Sequence, residues 1–444
     1  MIQPTLHRAL TTGQLAMIAI GGAIGTGLFL GSGFAIGMAG PAVLASYAIA
    51  GLITLALMGA LAEMTVATPV TGAFGAFAQM YLGPLAGFLV RWAYWSAVVL
   101  AVGTEVTAVA LYMAWWFPHV PGMVWIVGFS AALVGINLAG VGWFGAIEYG
   151  FSAVKVAAIL LFMLLGGLVW VRSGVGFVNY AAAGGFAPHG AWGVWKSVIV
   201  AIFSYFSVEM IAIAAGEAAA PERAIVRAFR ATFVRLAIFY LGSLAIMLAL
   251  VPWTRAGVTV SPFVTVMAAT GLPYAAGVIN AVVLVAALSA MNSQLYAGSR
   301  MLWALAAAGQ APRWLMVLAT NGAPRRAVLA SSGGAVLAVA LVALAPAQAF
   351  GAMLAVSIAG ALFVWMMIFA THLAFRRRHG APAGFRLWGH PWPSRLGGAA
   401  MAALLLTTAF TAEFRWTLAW GAPALLLATL AYFLRLRRRA RGLA

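Results

Sequence analysis

The sequence predicts an all-α polytopic membrane protein of about twelve spans, built as a 5+5 inverted repeat with spans 1 and 6 broken. Three observations carry this. Hydrophobic residues make up 65% of the 444 and charged residues only 7%, too little polar surface for a domain solvated by water. Apolar runs of about 20 residues, long enough to cross a bilayer, recur from end to end. Finally, two of those runs are interrupted at mid-depth, one by glycines and one by serines and a glutamate.

The runs fall near 15–38, 41–65, 85–113, 122–142, 150–171, 196–216, 231–251, 273–303, 327–345, 350–374, 396–413 and 416–434. The longest polar stretches are 172–195, 217–230, 304–326 and 375–395, none long enough for a catalytic domain. The expected organisation is a short N-terminus (1–14), a first five-helix repeat (15–172), a second (195–375), two further helices (395–435) and a basic tail (436–444). The start, "MIQPTLHRALTTGQ", lacks the basic end, short apolar core and cleavage site of a secretory signal, so span 1 is expected to be retained. Cysteine is absent, which excludes disulfides, thiolate metal sites and cysteine nucleophiles.

The net charge of +18 is arranged for a membrane rather than for nucleic acid. With the N-terminus inside, 20 of the 25 basic residues lie on inner segments, and only Arg172, Lys196, Arg255 and Arg415 lie outside. This asymmetry puts both termini in the cytoplasm of a cell-membrane protein. The tail "RLRRRARG" is a patch for anionic lipid headgroups.

Span 1 carries "GGAIGTGLFLGSG" at 21–33, six glycines in thirteen residues, although glycine inside a helix is unfavourable by about 1 kcal/mol relative to alanine. Span 6 carries "FSYFSVE" at 203–209. A break at membrane depth survives only where it lines a cavity or binds something. The ends it creates offer N–H donors suited to a carboxylate and carbonyls suited to an ammonium, the two groups of a zwitterionic amino acid. Glycines admit the ligand close to the backbone, and Thr26 adds a hydrogen-bond donor. Close helix packing through Gly21-x-x-x-Gly25 and Gly27-x-x-x-Gly31 also fits the spacing. The matching break in span 6 favours the binding site.

At these residues the chain resembles the amino acid permeases of the amino acid–polyamine–organocation superfamily, in the branch with aromatic, proline, lysine and γ-aminobutyrate permeases. The likeness runs through "AMIAIGGAIGTGLFLGSGFAIGMAGPAVLASY", "EYGFSAVKVAAI", "FSYFSVEMIAIAAGEAAAPERAI", "IFYLGSLAIMLALVPW", "SPF" and "ALSAMNSQLYAGSRMLWALAAAGQAPR". It implies the LeuT-like fold and proton-coupled amino acid uptake. It would assign the substrate carboxylate to Gly25, Thr26 and Gly27, and the amino group to backbone around Ile20, Ala23, Phe203 and Ser204. Ser207 stands where the family usually has glycine, beside bulky Phe206, which bears on the pocket's volume.

Charges within spans are functional candidates. Lys155, read as one and a half turns into span 5, is expected to couple the proton, and the resemblance implies that it fills the space of the sodium ion in sodium-driven relatives; snorkelling to the headgroups is the alternative. Glu105 in span 3 is expected to line the substrate pocket or relay the proton, and otherwise to bond a neighbouring helix. Glu209 is expected to brace spans 6 and 1. Glu63, Glu148 and Glu217 are expected near the cytoplasmic ends, paired with inner arginines. Phe203, Tyr205 and Phe206 are lid candidates. Asn292 and Ser293 are expected to bond between helices. His119, His189 and His372 have no ligand-like spacing, so no metal or cofactor is implied, and no residue set suggests an enzyme.

The sequence therefore reads as a transporter whose partners are a small amino acid, a proton and the lipid bilayer. The function expected is proton symport of a neutral, aromatic, proline-like or γ-aminobutyrate-like amino acid by alternating access. An amino acid or polyamine exchanger and a non-transporting sensor are the other readings.

Overall fold

Several helix ends in this chain fall where proline or glycine sets them. A computed structural model describes residues 24–68, 70, 72–215, 221–255, 260–382 and 384–440. After a π-helical turn at Gly27–Gly31, the helices run α1 (Ser32–Ala39), α2 (Val43–Ala67), α3 (Ala73–Tyr81), α4 (Pro84–Ala114), α5 (Gly122–Ala139), α6 (Val141–Ser173), α7 (Val178–Ala181), α8 (Gly190–Tyr205) and α9 (Met210–Ala215). They continue as α10 (Pro221–Arg235), α11 (Ser243–Leu250), α12 (Pro262–Ala269), α13 (Ala275–Ala307), α14 (Arg325–Ser331), α15 (Gly333–Leu344), α16 (Pro346–His379), α17 (Trp392–Thr407) and α18 (Arg415–Ala440). Proline occupies the first position of α4, α12 and α16, where its missing N–H has no partner to lose.

Among the described residues, nine helical stretches are long and apolar enough to cross a membrane. Three places account for the difference from the expected spans. The described part of span 1 runs into span 2 as one continuous stretch, Gly27–Ala67. Span 6 is divided between α8 and α9, and α17 has 16 residues. Span 5 also begins earlier than its apolar run suggests. Gly140, at φ +113°, ends α5, and α6 starts at the next residue. Lys155 therefore lies about four turns into its helix, not one and a half.

Helix α4 is the central packing element, with α13, α15 and α16 along it. Its backbone meets α15 so closely that a side-chain carbon on Gly334 would collide with the Val99 carbonyl. One on Gly360 of α16 would lie 2.6 Å from the Ala93 carbonyl oxygen. In lipid, where apolar contact alone gives helices little reason to associate, such close backbone packing holds the bundle.

The loop between α16 and α17 lies across α2. Leu387 sits on Gly59, where an added side-chain carbon would be 2.5 Å from its Cδ1, and its N–H donates to Glu63 Oε2 at 2.7 Å. Phe385 meets Phe229 of α10 at 5.2 Å between ring centres. Glu63 is fully buried and also pairs with Arg376 Nε at 2.5 Å and with His372 at 3.4 Å. The pairing of Glu63 with an arginine is as the sequence suggests. Glu217 lies outside the described residues.

Candidate functional site

The described part of span 1 is non-helical at Ile24 and Gly25 and turns helical at Thr26. The Gly25 carbonyl accepts from the Leu28 and Phe29 N–H groups, and the π turn that follows leaves the Phe29 carbonyl to Ser261 Oγ, at 2.5 Å. Ile20 and Ala23, candidates for the amino-group site, lie outside the described residues.

Span 6 is broken where "FSYFSVE" suggests. Helix α8 ends at Tyr205, Phe206 is extended (φ −58°, ψ 151°) and Ser207 turns left-handed at φ +76°. A β-carbon is unfavourable in that conformation, which explains physically why a glycine would suit this position.

The two irregular segments touch. Ser204 Oγ donates to the Gly27 carbonyl at 2.6 Å and shares a hydrogen bond with Tyr47 OH at 2.9 Å. A side-chain carbon on Gly27 would fall 2.5 Å from Ser204 Cα. Tyr240 OH donates to the Ser204 carbonyl at 2.9 Å, and Tyr205 OH to the Tyr47 carbonyl at 3.0 Å. Tyr205 thus packs among Tyr47 and Tyr240 rather than over the cavity.

Between the segments is a small cavity, with room for about one water molecule, lined by Gly25, Gly27, Glu105, Phe203, Ser204, Phe206, Ser207, Ala290 and Gln294. It gathers six of the predicted substrate residues. Thr26 contributes its N–H, which donates to Glu105 Oε2 at 3.1 Å. Gln294 Nε2 approaches the other carboxylate oxygen at 3.5 Å. Ala290 and Gln294 were not legible as site residues from the sequence. Their signal is an i, i+4 pair on α13, one small and one polar, which puts both on one helix face.

A second polar cluster lies beside the first. Lys155, fully buried, donates to the Ile24 carbonyl at 3.0 Å and to Ser289 Oγ at 2.7 Å. Its ammonium therefore reaches the backbone next to the cavity, not a headgroup. Glu148 corrects the sequence reading. It is fully buried, 3.9 Å from Lys155 Nζ, and accepts from Ser289 Oγ (2.5 Å) and Asn292 Nδ2 (3.3 Å). The early start of α6 draws it inward, away from the loop arginines. Asn292 does bond between helices, accepting from Asn137 Nδ2 at 2.9 Å. Glu209 Oε2 accepts from Trp365 Nε1 at 3.1 Å, bracing span 6 against α16; the part of span 1 before Ile24 lies outside the described residues.

A model of the amino acid permease family matches residues 14–437. The chain belongs to the amino acid permease family. Among its relatives are the uncharacterized amino acid permease YtnA of Bacillus subtilis (strain 168), 40% identical over 379 residues, covering 84% of this chain and 82% of YtnA. The aromatic amino acid transport protein AroP of Escherichia coli (strain K12) is 39% identical over 413 residues, covering 91% of this chain and 90% of AroP. AroP of Salmonella typhimurium (strain LT2) matches to the same extent. The resemblance read in the sequence is thereby borne out. This permease is a multi-pass protein of the cell membrane that transports amino acids, and it belongs to a family of transporters rather than enzymes.

Proposed function

We propose that this permease imports an amino acid together with a proton, by alternating access, with twelve spans in a 5+5 inverted repeat and both termini in the cytoplasm. One observation supports this above the rest: the start of the span 1 helix and the break in span 6 meet at a single cavity whose wall carries Glu105 and Ser204. Backbone N–H groups at Thr26 and Gly27 suit the substrate carboxylate. The family resemblance assigns its amino group to backbone around Ile20, Ala23, Phe203 and Ser204. The Thr26 N–H already donates to Glu105, so substrate entry exchanges one carboxylate for another. The rings of Phe203 and Phe206 at the cavity, and the printed name of the AroP relatives, favour an aromatic side chain. Lys155 couples the proton because its ammonium holds the Ile24 carbonyl beside the substrate-binding backbone.

The test is reconstitution in liposomes with radiolabelled amino acids, with and without an inward proton gradient. Accumulation of an aromatic amino acid driven by the gradient supports the proposal. Uptake that ignores the gradient but requires internal amino acid makes the protein an exchanger instead.

A further inference from the structure

We propose that Glu148 is the group to which Lys155 hands the coupling proton, through the hydroxyl of Ser289, on the cytoplasmic side of the site. The proposal rests on the reading of Lys155 as the coupling residue and adds where its proton goes.

The geometry is that of a relay. Ser289 Oγ lies 2.7 Å from Lys155 Nζ and 2.5 Å from Glu148 Oε1, whereas the two charged groups are 3.9 Å apart. If neutralising a buried charge were the whole task, direct contact at about 2.8 Å would do it better. A hydroxyl instead stands between them, and a hydroxyl accepts and donates at once. One Lys155 Nζ–H bond breaks as a Ser289 Oγ–H bond forms, and the original Ser289 O–H bond breaks as Glu148 Oε1–H forms. Ammonium and carboxylate become amine and carboxylic acid. The pair is neutral in sum before and after, so no net charge is created in the bilayer.

The surroundings hold Glu148 ready to accept. Asn292 Nδ2 donates to its second oxygen at 3.3 Å, and Asn137 Nδ2, by donating to the Asn292 carbonyl, keeps that amide turned the right way. Ser152 adds a longer bond of 3.4 Å. Among the described residues, the charged groups facing the relay are Lys155 and Glu148 on α6 and Glu105 from α4; α13 and α5 contribute the neutral Ser289, Asn292, Ser293 and Asn137. The relay also has a direction. Lys155 bonds the Ile24 carbonyl beside the substrate cavity, while the backbone of Glu148 lies two turns, about 10 Å along the axis, nearer the start of α6, the cytoplasmic end in the proposed orientation, with its carboxylate 3.9 Å from the ammonium.

The experiment uses the full-length protein in liposomes and two modes of flux. The probe is radiolabelled phenylalanine, or whichever standard amino acid gives the largest wild-type flux. Accumulation driven by a proton gradient requires the proton to leave inside. Exchange of external for internal substrate at equal pH does not. For Ser289→Ala and Glu148→Gln we expect accumulation to fall at least about tenfold, equivalent to 1.4 kcal/mol, while exchange continues. Ser289→Thr, which keeps the hydroxyl, should restore accumulation. Loss of both modes together, or accumulation left intact, overturns the relay, as does failure of Ser289→Thr to rescue. A wild-type protein that exchanges substrate but ignores the gradient removes the coupling role of Lys155 and the relay with it. A wild-type protein that moves no amino acid in either mode overturns the transport proposal itself.

Discussion

Gly27→Ala tests whether the contact between the two irregular segments holds the substrate site in shape. The added methyl would fall 2.5 Å from Ser204 Cα and 3.1 Å from Ser204 N, against an ordinary contact of at least 3.4 Å. Both neighbours are backbone, so no side chain can swing aside. Relief requires the segments to separate by about 0.9 Å, which stretches the 2.6 Å bond from Ser204 Oγ to the Gly27 carbonyl. Overpacking of this kind costs about 1–3 kcal/mol, equivalent to roughly 5- to 150-fold in affinity. The assay is the KM for uptake of the best substrate in liposomes, together with substrate-induced thermal stabilisation of the purified protein. Gly37→Ala is the matched control, because a methyl there has nothing within 4 Å. A Gly27→Ala protein with wild-type KM and wild-type stabilisation would refute the reasoning, since the segments would then be free to move apart at no cost to binding.

Ser207→Gly should raise the thermal midpoint in detergent, because the left-handed conformation at φ +76° is unfavourable for a residue with a β-carbon by about 1 kcal/mol; an unchanged or lower midpoint refutes this. Lys155→Ala should abolish accumulation driven by a proton gradient, measured in liposomes at matched protein density; gradient-driven uptake that persists makes Lys155 a structural residue. Glu105→Gln replaces a charged acceptor of the Thr26 N–H with a neutral one weaker by about 1 kcal/mol. If substrate must take that N–H, KM falls several-fold, whereas a higher KM would mean that Glu105 itself grips substrate. Glu63→Gln should lower the thermal midpoint, because it strips the buried acid from Arg376, a change worth about 3 kcal/mol when a buried pair is broken.

Much of the site was legible because breaking a membrane helix needs unusual residues. "GTG" and "FSYFS" stand out from apolar surroundings, and the cavity draws Gly25, Gly27, Phe203, Ser204 and Ser207 from them. Glu105 stood out for a related reason, as a carboxylate rare enough at that depth to require a use. The partners of these residues were not legible. Glu148 looked like a loop-side acid because the apolar run of span 5 starts late, and only the glycine at 140 reveals where α6 begins. The bracing of Glu209 by Trp365 joins residues 156 positions apart, and no spacing rule reaches that far. Ala290 was hidden for the opposite reason: alanine carries no chemistry, and its contribution is to leave room.

If transport parts α2 from α16, the loop over α2 would bear on speed more than on affinity. Its Leu387 N–H, the Arg376 guanidinium and His372 converge on one carboxylate, Glu63, and so fasten α2 to α16 and to the segment that follows it. A motion that parts α2 from both α16 and the loop after it would have to release Arg376 and the Leu387 N–H together, since either alone leaves the carboxylate held. Such a fastening behaves as a threshold: small fluctuations leave it closed, and opening is an all-or-none event whose frequency is set by a single side chain. Turnover in this protein would then be tuned some distance from the substrate, at a residue that never touches it.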